Sequence, residues 1–552
     1  MLLSRRAFAL SSAAFAAGCV TPQADEAGII LRGRIHTGVA ARPLAEAVLV
    51  RGKDIAFVGA FDAARRRAAG AQVIEIGEAA AFPGFVDSHV HLPDVGLMSM
   101  RLDLTGVGSV AELKTRLASY AAARPEGPIV GAGWIETHWP EARFPTRDDL
   151  DAVVRERPVF LERADGHAAA ANSAALALAG IGDGAPDPAG GRIERDARRR
   201  ATGMLIDAAT ALVRGRLPPV SRADEREALK AAARLYASRG WTGVANMGAS
   251  LAQAEDFDAL AAAGELPLKA DLYIGEAEAD AFLAAGPSVD ATGLVNRRGI
   301  KLYMDGALGS RGAALLLPYA DAPGDGLIVT PPERLKDVMA RARVANAQIA
   351  LHAIGDRANR LGLDFFAETF ADAPEALRAA RWRIEHAQVI DHRDLPRFGR
   401  MGVIASMQPS HAISDLYFAP SRLGDARLSG AYAWKSLLNY HATICGGSDA
   451  PVEKGDPLIE FYAATWRHSL DGFAGPDWRL QETVSRTEAL AMLTTAGAYA
   501  TFQERTRGTI EPGKRADISV FSADLMSAPF DAIPKARAVL TMSEGRITHS
   551  AL

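Results

Sequence analysis

The sequence predicts an α/β fold: a (β/α)8 barrel with a small β-sandwich domain built from both chain ends and a large insertion after the first strand. Three observations predict it. Short apolar runs alternate with amphipathic helical patterns, the signature of βα units around a parallel sheet. Eight such runs occur: Ala81 to His91, Thr242 to Gly248, Leu268 to Gly275, Gly299 to Asp305, Gln348 to Gly355, Arg381 to Gln388, Gly402 to Gln408 and Ala442 to Asp449. Polar residues gather at the carboxyl ends of these runs, the face on which such barrels carry their sites.

In chain order, the first segment reads as an export leader. Arg5 and Arg6 precede a short apolar stretch from Ala7 to Ala17, too short to span a bilayer, which takes about 20 apolar residues. Ser4-Arg5-Arg6-Ala7-Phe8 resembles a twin-arginine signal, and Ala16-Ala17-Gly18-Cys19 resembles a lipoprotein cleavage box. Residues 1–27 are therefore expected to be signal and tether, with a lipid anchor at Cys19 and an exported, periplasmic or membrane-anchored destination.

Residues 28–80 and 505–552 hold short strands with glycine turns, such as LRGRIHTG and ARAVLTMSEGRITHS, and are assigned to the one β-sandwich domain. The barrel takes 81–504. Within it, 93–220 is an insertion containing a strand-like PVFLER and a Gly/Pro-rich, hairpin-like stretch at Gly182 to Gly191. Helical spacing appears at Asp224 to Ser238, Glu333 to Val344, Arg357 to Phe370 and Thr487 to Phe502.

Composition narrows the function classes. Of 552 residues, 49% are hydrophobic and 23% charged, values of a globular chain. The formal net charge is −4, with no basic excess to suggest nucleic acid. The two cysteines, Cys19 and Cys445, support neither a disulfide framework nor a cysteine zinc site. Cys445 lies in an apolar run and reads as a small core residue.

Chemistry points to histidine instead. His89 and His91 sit two apart on a strand, so both side chains face one way and can grip one metal ion. His352, His386 and Asp449 each close another predicted strand. Four histidines and a carboxylate at one rim call for a cation. Lys301 stands inside an apolar strand of a chain in which arginine far outnumbers lysine. A neutral lysine can add CO2 to form a carbamate, which guanidinium cannot readily do. The alternative is a lysine paired with a carboxylate such as Asp305. The residues alone leave both readings open.

The whole set resembles the amidohydrolase superfamily, and within it the YtcJ-like branch that includes N-substituted formamide deformylase. The strings that carry the resemblance are FPGFVDSHVHL, GAGWIETHWP, PVFLERADGHAAAANSAAL, KLYMDGALGSRGAALLLPYAD, LHAIGDRA, RIEHAQ, QPSHAISD, GSDAPV and GTIEPGKRADISVF, spread over nearly the whole chain after the leader. The resemblance implies a metal-dependent hydrolase of C–N bonds (amide, N-acyl, formamide, imide or carbamate) acting on a small molecule. It implies one or two divalent ions, with zinc expected. His89, His91 and Asp449 hold the more buried ion, His352 and His386 the second, and a carbamate on Lys301 bridges them. The implied mechanism is attack by metal-activated hydroxide with Asp449 as general base and then acid.

Other residues carry weaker signals. His167 and His411 match family strings and are expected to face substrate, against the reading of hydrogen-bonded structural histidines. Arg311 is a candidate for an anionic group, against pairing with an acid, and Trp134 and Trp139 for the pocket wall, against the packing that is commoner for large aromatics. A homodimer is a further expectation. Two other readings compete: a deaminase on the same scaffold, and an exported binding protein without catalysis. The lysine ligand favours hydrolysis over deamination, and no ligand position is lost, which disfavours the binding protein.

Overall fold

A computed structural model describes residues 28–136, 139–163, 168–188, 191–475 and 478–552. The central sheet runs through eight parallel strands in chain order: β1 (Phe85–Val90), β2 (Trp241–Ala249), β3 (Lys269–Gly275), β4 (Val295–Tyr303), β5 (Gln348–Ala353), β6 (Arg383–His386), β7 (Ile404–Met407) and β8 (Ile444–Gly446). Backbone bonds just past the strand ends join the last to the first. Asp449 N–H donates to His89 O at 2.7 Å and His91 N–H to Ala450 O at 2.9 Å. The result is the nearly closed barrel that the alternating pattern predicts.

The helices obey local rules. Arg222–Arg239 starts at Ser221, whose hydroxyl accepts from Asp224 N–H, and stops at Gly240 with φ 103°. Only glycine fits there: a Cβ would lie 2.7 Å from the Phe521 ring. The expected helix from Thr487 to Phe502 is two, Arg486–Leu493 and Thr495–Ala500, because Thr494 leaves helical geometry at φ −131° and ψ −83°. Its hydroxyl bonds back to Leu490 O, an alternative partner that competes with helix continuation.

The first predicted strand also divides. Gln72–Pro83 belongs to a separate seven-stranded sheet, pairing with Ile29–His36 and Ile518–Phe521, and only Phe85–Val90 enters the barrel. Gly84 is the crossing point, where a Cβ would meet Thr242 Oγ1 at 2.2 Å. The seven-stranded sheet takes strands from both chain ends and curls on itself. Ile55 N–H donates to Lys514 O and Ala516 N–H to Lys53 O, tying the edge strand Asp54–Gly59 to the segment that leads into Ile518–Phe521 on the other side of the sheet. Leu31, Val48, Ile518, Val520 and Leu540 share its interior.

Between helix Leu92–Met100 and helix Arg222–Arg239 the chain builds a six-stranded sheet of its own. Trp134, Leu113, Leu117 and Leu161 form its core. PVFLER is the strand Val159–Arg163 within it.

Candidate metal centre

Barrel register sets the rim. Tyr303 pairs with His352 and Ala353 with His386, so Lys301, His352 and His386 rise in steps around one mouth. From the other side come His89 on β1, His91 at the start of the following helix, and Asp449 three residues beyond β8. Nε2 of His89 and Nε2 of His91 each lie 3.3 Å from Asp449 Oδ1. The His386 ring lies 4.9 Å from that of His89 and 4.5 Å from that of His352. One ligand atom each from His89, His386 and Asp449 fits within 4.8 Å, the spacing of a shared ion.

The back of each ring is committed. His89 Nδ1–H donates to Glu385 Oε2 at 2.6 Å, and His386 Nδ1–H donates to Gln408 Oε1 at 2.8 Å. These bonds fix the tautomers and turn both Nε2 atoms into the mouth. Burial pulls His386 well below its usual range and His352 down to about 3. Burial pushes Asp449 up, but His89 and His91 beside it hold the carboxyl well below its usual range. Neutral imidazoles and an ionised carboxylate are the forms that bind a metal. Nε2 of His352 is buried, 3.7 Å from Asp305 Oδ1 and without a hydrogen-bond partner among the described residues, which an ion would supply. The donor set therefore fits a divalent cation.

His386 and Asp449 adopt φ values of 71° and 55°, a left-handed backbone costing about 1–2 kcal/mol for a residue with a side chain. Strain of this kind collects at functional sites.

Lys301 is 1% exposed, and among the described residues no carboxylate comes within ion-pair reach of it. Asp305, its candidate partner, instead accepts the N–H groups of Ala314, Ile354 and Gly355. The Lys301 ammonium donates to His89 Nε2 at 3.3 Å and lies 5.0 Å over the Tyr303 ring. Burial brings it down to about 8.

The remaining candidates separate. His411 joins the mouth, its Nε2 3.7 Å from Asp449 Oδ2. Arg311 does not: it forms a two-pronged pair with Asp321, at 3.1 and 2.9 Å, so its charge is already matched. Trp134 is fully buried in the core of the insertion with its indole N–H on Leu161 O, leaving no surface for a substrate. Trp139 packs beside it. His167 and Cys19 lie outside the described residues. A groove of about 660 Å³, lined by Val95, Arg101, Thr105 and Lys454, runs beside the mouth, and none of the clustered histidines lines it.

Sequence reasoning missed Glu385, Arg383 and Gln408. Arg383 donates to both oxygens of Glu385, and both residues are 0% exposed. The signal was present: two charged residues in RIEH, inside a strand buried at every position. The same reasoning that singled out Lys301 applies to them.

A barrel whose strand ends bring histidines, a carboxylate and a buried lysine to one mouth defines a metal-dependent hydrolase. The particular family follows from comparison: the chain belongs to the amidohydrolase family, whose signature spans residues 72–549. It is 34% identical to the protein YtcJ of Bacillus subtilis over 89% of this chain and 93% of that one. It is 28% identical to the N-substituted formamide deformylase of Arthrobacter pascens, over 90% and 93%. Among solved structures, an uncharacterized metal-dependent hydrolase from Pyrococcus furiosus superposes with a TM-score of 0.75 at 28% identity, covering 90% of this chain and all of that one.

Proposed function

We propose that the protein hydrolyses a C–N bond of a small amide-type substrate (amide, N-acyl, formamide, imide or carbamate) at a zinc centre of one or two ions. His89, His91 and Asp449 would hold one ion and His352 and His386 a second, with Lys301, as its carbamate, supplying a further oxygen ligand. The observation that carries this reading is the convergence of His89, His386 and Asp449 within 4.8 Å, with both imidazoles held from behind. A bound divalent ion lowers the pKa of water toward ~7 and polarises a carbonyl oxygen. Asp449 takes a proton from the attacking water and returns it to the leaving nitrogen. Its 7% exposure keeps bulk water from competing for that proton.

Three facts support the carbamate: the burial of Lys301, its lack of a carboxylate partner, and its lowered basicity, which enriches the neutral amine that adds CO2. The Arthrobacter relative, named for deformylation of N-substituted formamides, supports an amide bond as target. Metal analysis of zinc-supplemented protein is expected to find at least one ion per chain. Lys301→Ala is expected to lose at least about 100-fold in kcat and to regain activity with added short carboxylates. Metal-free protein, or full activity in that variant, overturns the reading. Export through Arg5-Arg6, a lipid anchor at Cys19 and a homodimer belong to the same proposal. A Cys19→Ser chain still recovered with membranes would remove the anchor.

A further inference from the structure

Asp449 divides its two oxygens. Oδ1 lies 3.3 Å from Nε2 of both His89 and His91, whereas Oδ2 faces His411, whose Nε2 is 3.7 Å away. His411 is 8% exposed, and its buried Nε2 has no hydrogen-bond partner among the described residues. Leaving such a group unpaired costs about 1–3 kcal/mol, so this nitrogen is open to a partner that the described side chains do not supply. The ring lies parallel to that of His386, 9° between planes and 5.9 Å between centroids. The turn that carries it is anchored from beneath: Ser410 N–H donates at 3.0 Å to Glu460, itself 1% exposed. The free nitrogen therefore sits on a fixed element beside the proposed proton carrier.

We infer that His411 is a catalytic residue that accepts the N–H of the scissile amide, and that the site thereby selects amides bearing one hydrogen on nitrogen. The inference rests on the C–N hydrolase reading above. As water adds to the carbonyl carbon, one of its protons passes to Asp449. The C–N bond then breaks and the nitrogen takes that proton from Asp449, so that amide and water become carboxylic acid and amine. Because Oδ2 and His411 Nε2 are 3.7 Å apart, one nitrogen can sit within hydrogen-bond reach of both. In the tautomer that carries its proton on Nδ1, the ring offers Nε2 as acceptor. Holding the N–H there fixes rotation about the C–N bond and aims the lone pair that forms on nitrogen at Oδ2. An N,N-disubstituted amide puts carbon in that place and leaves Nε2 buried and unpaired. Sites built to hydrogen-bond an N–H reject analogues lacking it far more strongly than they reject a change of shape.

The test uses the full chain loaded with zinc and pairs N-butylformamide and N-butylacetamide with their N-methyl counterparts. Wild type is expected to favour the secondary amides by at least about 100-fold in kcat/KM. His411→Phe keeps a ring against His386 but has no acceptor. It is expected to lower kcat on the secondary amides by about 100-fold and bring each pair within about threefold. His411→Gln, which restores an acceptor, is expected to recover part of the preference. Zinc content and Tm are expected to stay at wild-type values in both variants, which separates substrate contact from metal ligation and from packing. Loss of zinc, or an equal loss on both members of a pair, overturns the inference. Wild-type hydrolysis of secondary and tertiary amides at similar rates removes the His411 role and leaves the hydrolase reading standing. No hydrolysis of any of the four removes the hydrolase reading for simple N-acyl amines, and the inference with it.

Discussion

At the scale of single residues, the centre depends on groups one bond behind it. Arg383 is buried, bonds both oxygens of Glu385, and also donates to Ser88 O and Ser406 Oγ. Burial alone would push the Glu385 carboxyl up, but Arg383 and the bond from His89 hold it well below its usual range. The ionised carboxylate then keeps the proton of His89 on Nδ1, and Nε2 stays free for a metal. Glu385→Gln should show both effects. The amide would turn an N–H toward Arg383, leaving a buried cation without its anion, a change costing about 3–5 kcal/mol. Weakening the hold on His89 should lower zinc affinity about 10–100-fold. Chelator competition reads the affinity and denaturant melts of metal-free protein read the stability. Wild-type values for both would show that Glu385 is a bystander.

At the scale of elements, the centre is assembled on the seam between β8 and β1. Asp87 accepts the N–H and hydroxyl of Ser448 at 2.9 and 2.6 Å, and the N–H of His89 at 3.1 Å, clamping the chain before Asp449 to the strand bearing His89. Gly447 passes so close that a Cβ would lie 2.4 Å from His89 N and 2.9 Å from His89 Cβ. Gly447→Ala is therefore expected to push His89 and Asp449 apart. The cost should be about 1–3 kcal/mol, with a clear fall in bound zinc, measured by metal analysis after dialysis. Unchanged stoichiometry would mean that the seam yields without disturbing the ligands. These side chains were legible in the sequence because each interrupts an apolar strand, as HxH, Lys301 and the GSDA string do. The flanks of the same strands were not. Ala81 to Pro83 is as apolar as Phe85 to Val90, and nothing local says that the chain changes sheets at Gly84. For Arg311 and Trp134 the sequence leaves two readings open for a different reason. Whether a guanidinium already has an acid such as Asp321, or an indole N–H already has a carbonyl, depends on contacts between distant segments.

At the scale of the molecule, the two chain ends and the barrel should behave as one folding unit. The seven-stranded sheet closes only when Ile518–Phe521, Ala538–Ser543 and Arg546–Ser550 join strands from the first part of the chain. Its junction with the barrel is an aromatic cluster. The ring of Phe521 lies 6.0 Å from that of Phe82 and 5.2 Å from that of Phe85, and Phe85 packs on Trp241 at 6.4 Å. Phe82 ends a strand of the curled sheet, whereas Phe85 and Trp241 lie in β1 and β2, so Phe521 touches both bodies at 0% exposure. Polar bonds cross the same junction: Ser519 Oγ donates to Gly240 O at 2.7 Å and Thr541 Oγ1 to Ala237 O at 2.7 Å. A shared, fully buried interface transmits the loss of a side chain on one side to the other. Phe521→Ala is expected to cost about 3–5 kcal/mol. In calorimetry of the full chain treated with a chelator, a single endotherm should move down without splitting. A low-temperature shoulder for the sheet beside an unmoved barrel transition would show two independent bodies. A single shifted transition would mean that His89, five residues beyond the crossing at Gly84, owes its position partly to strands at the far end of the chain.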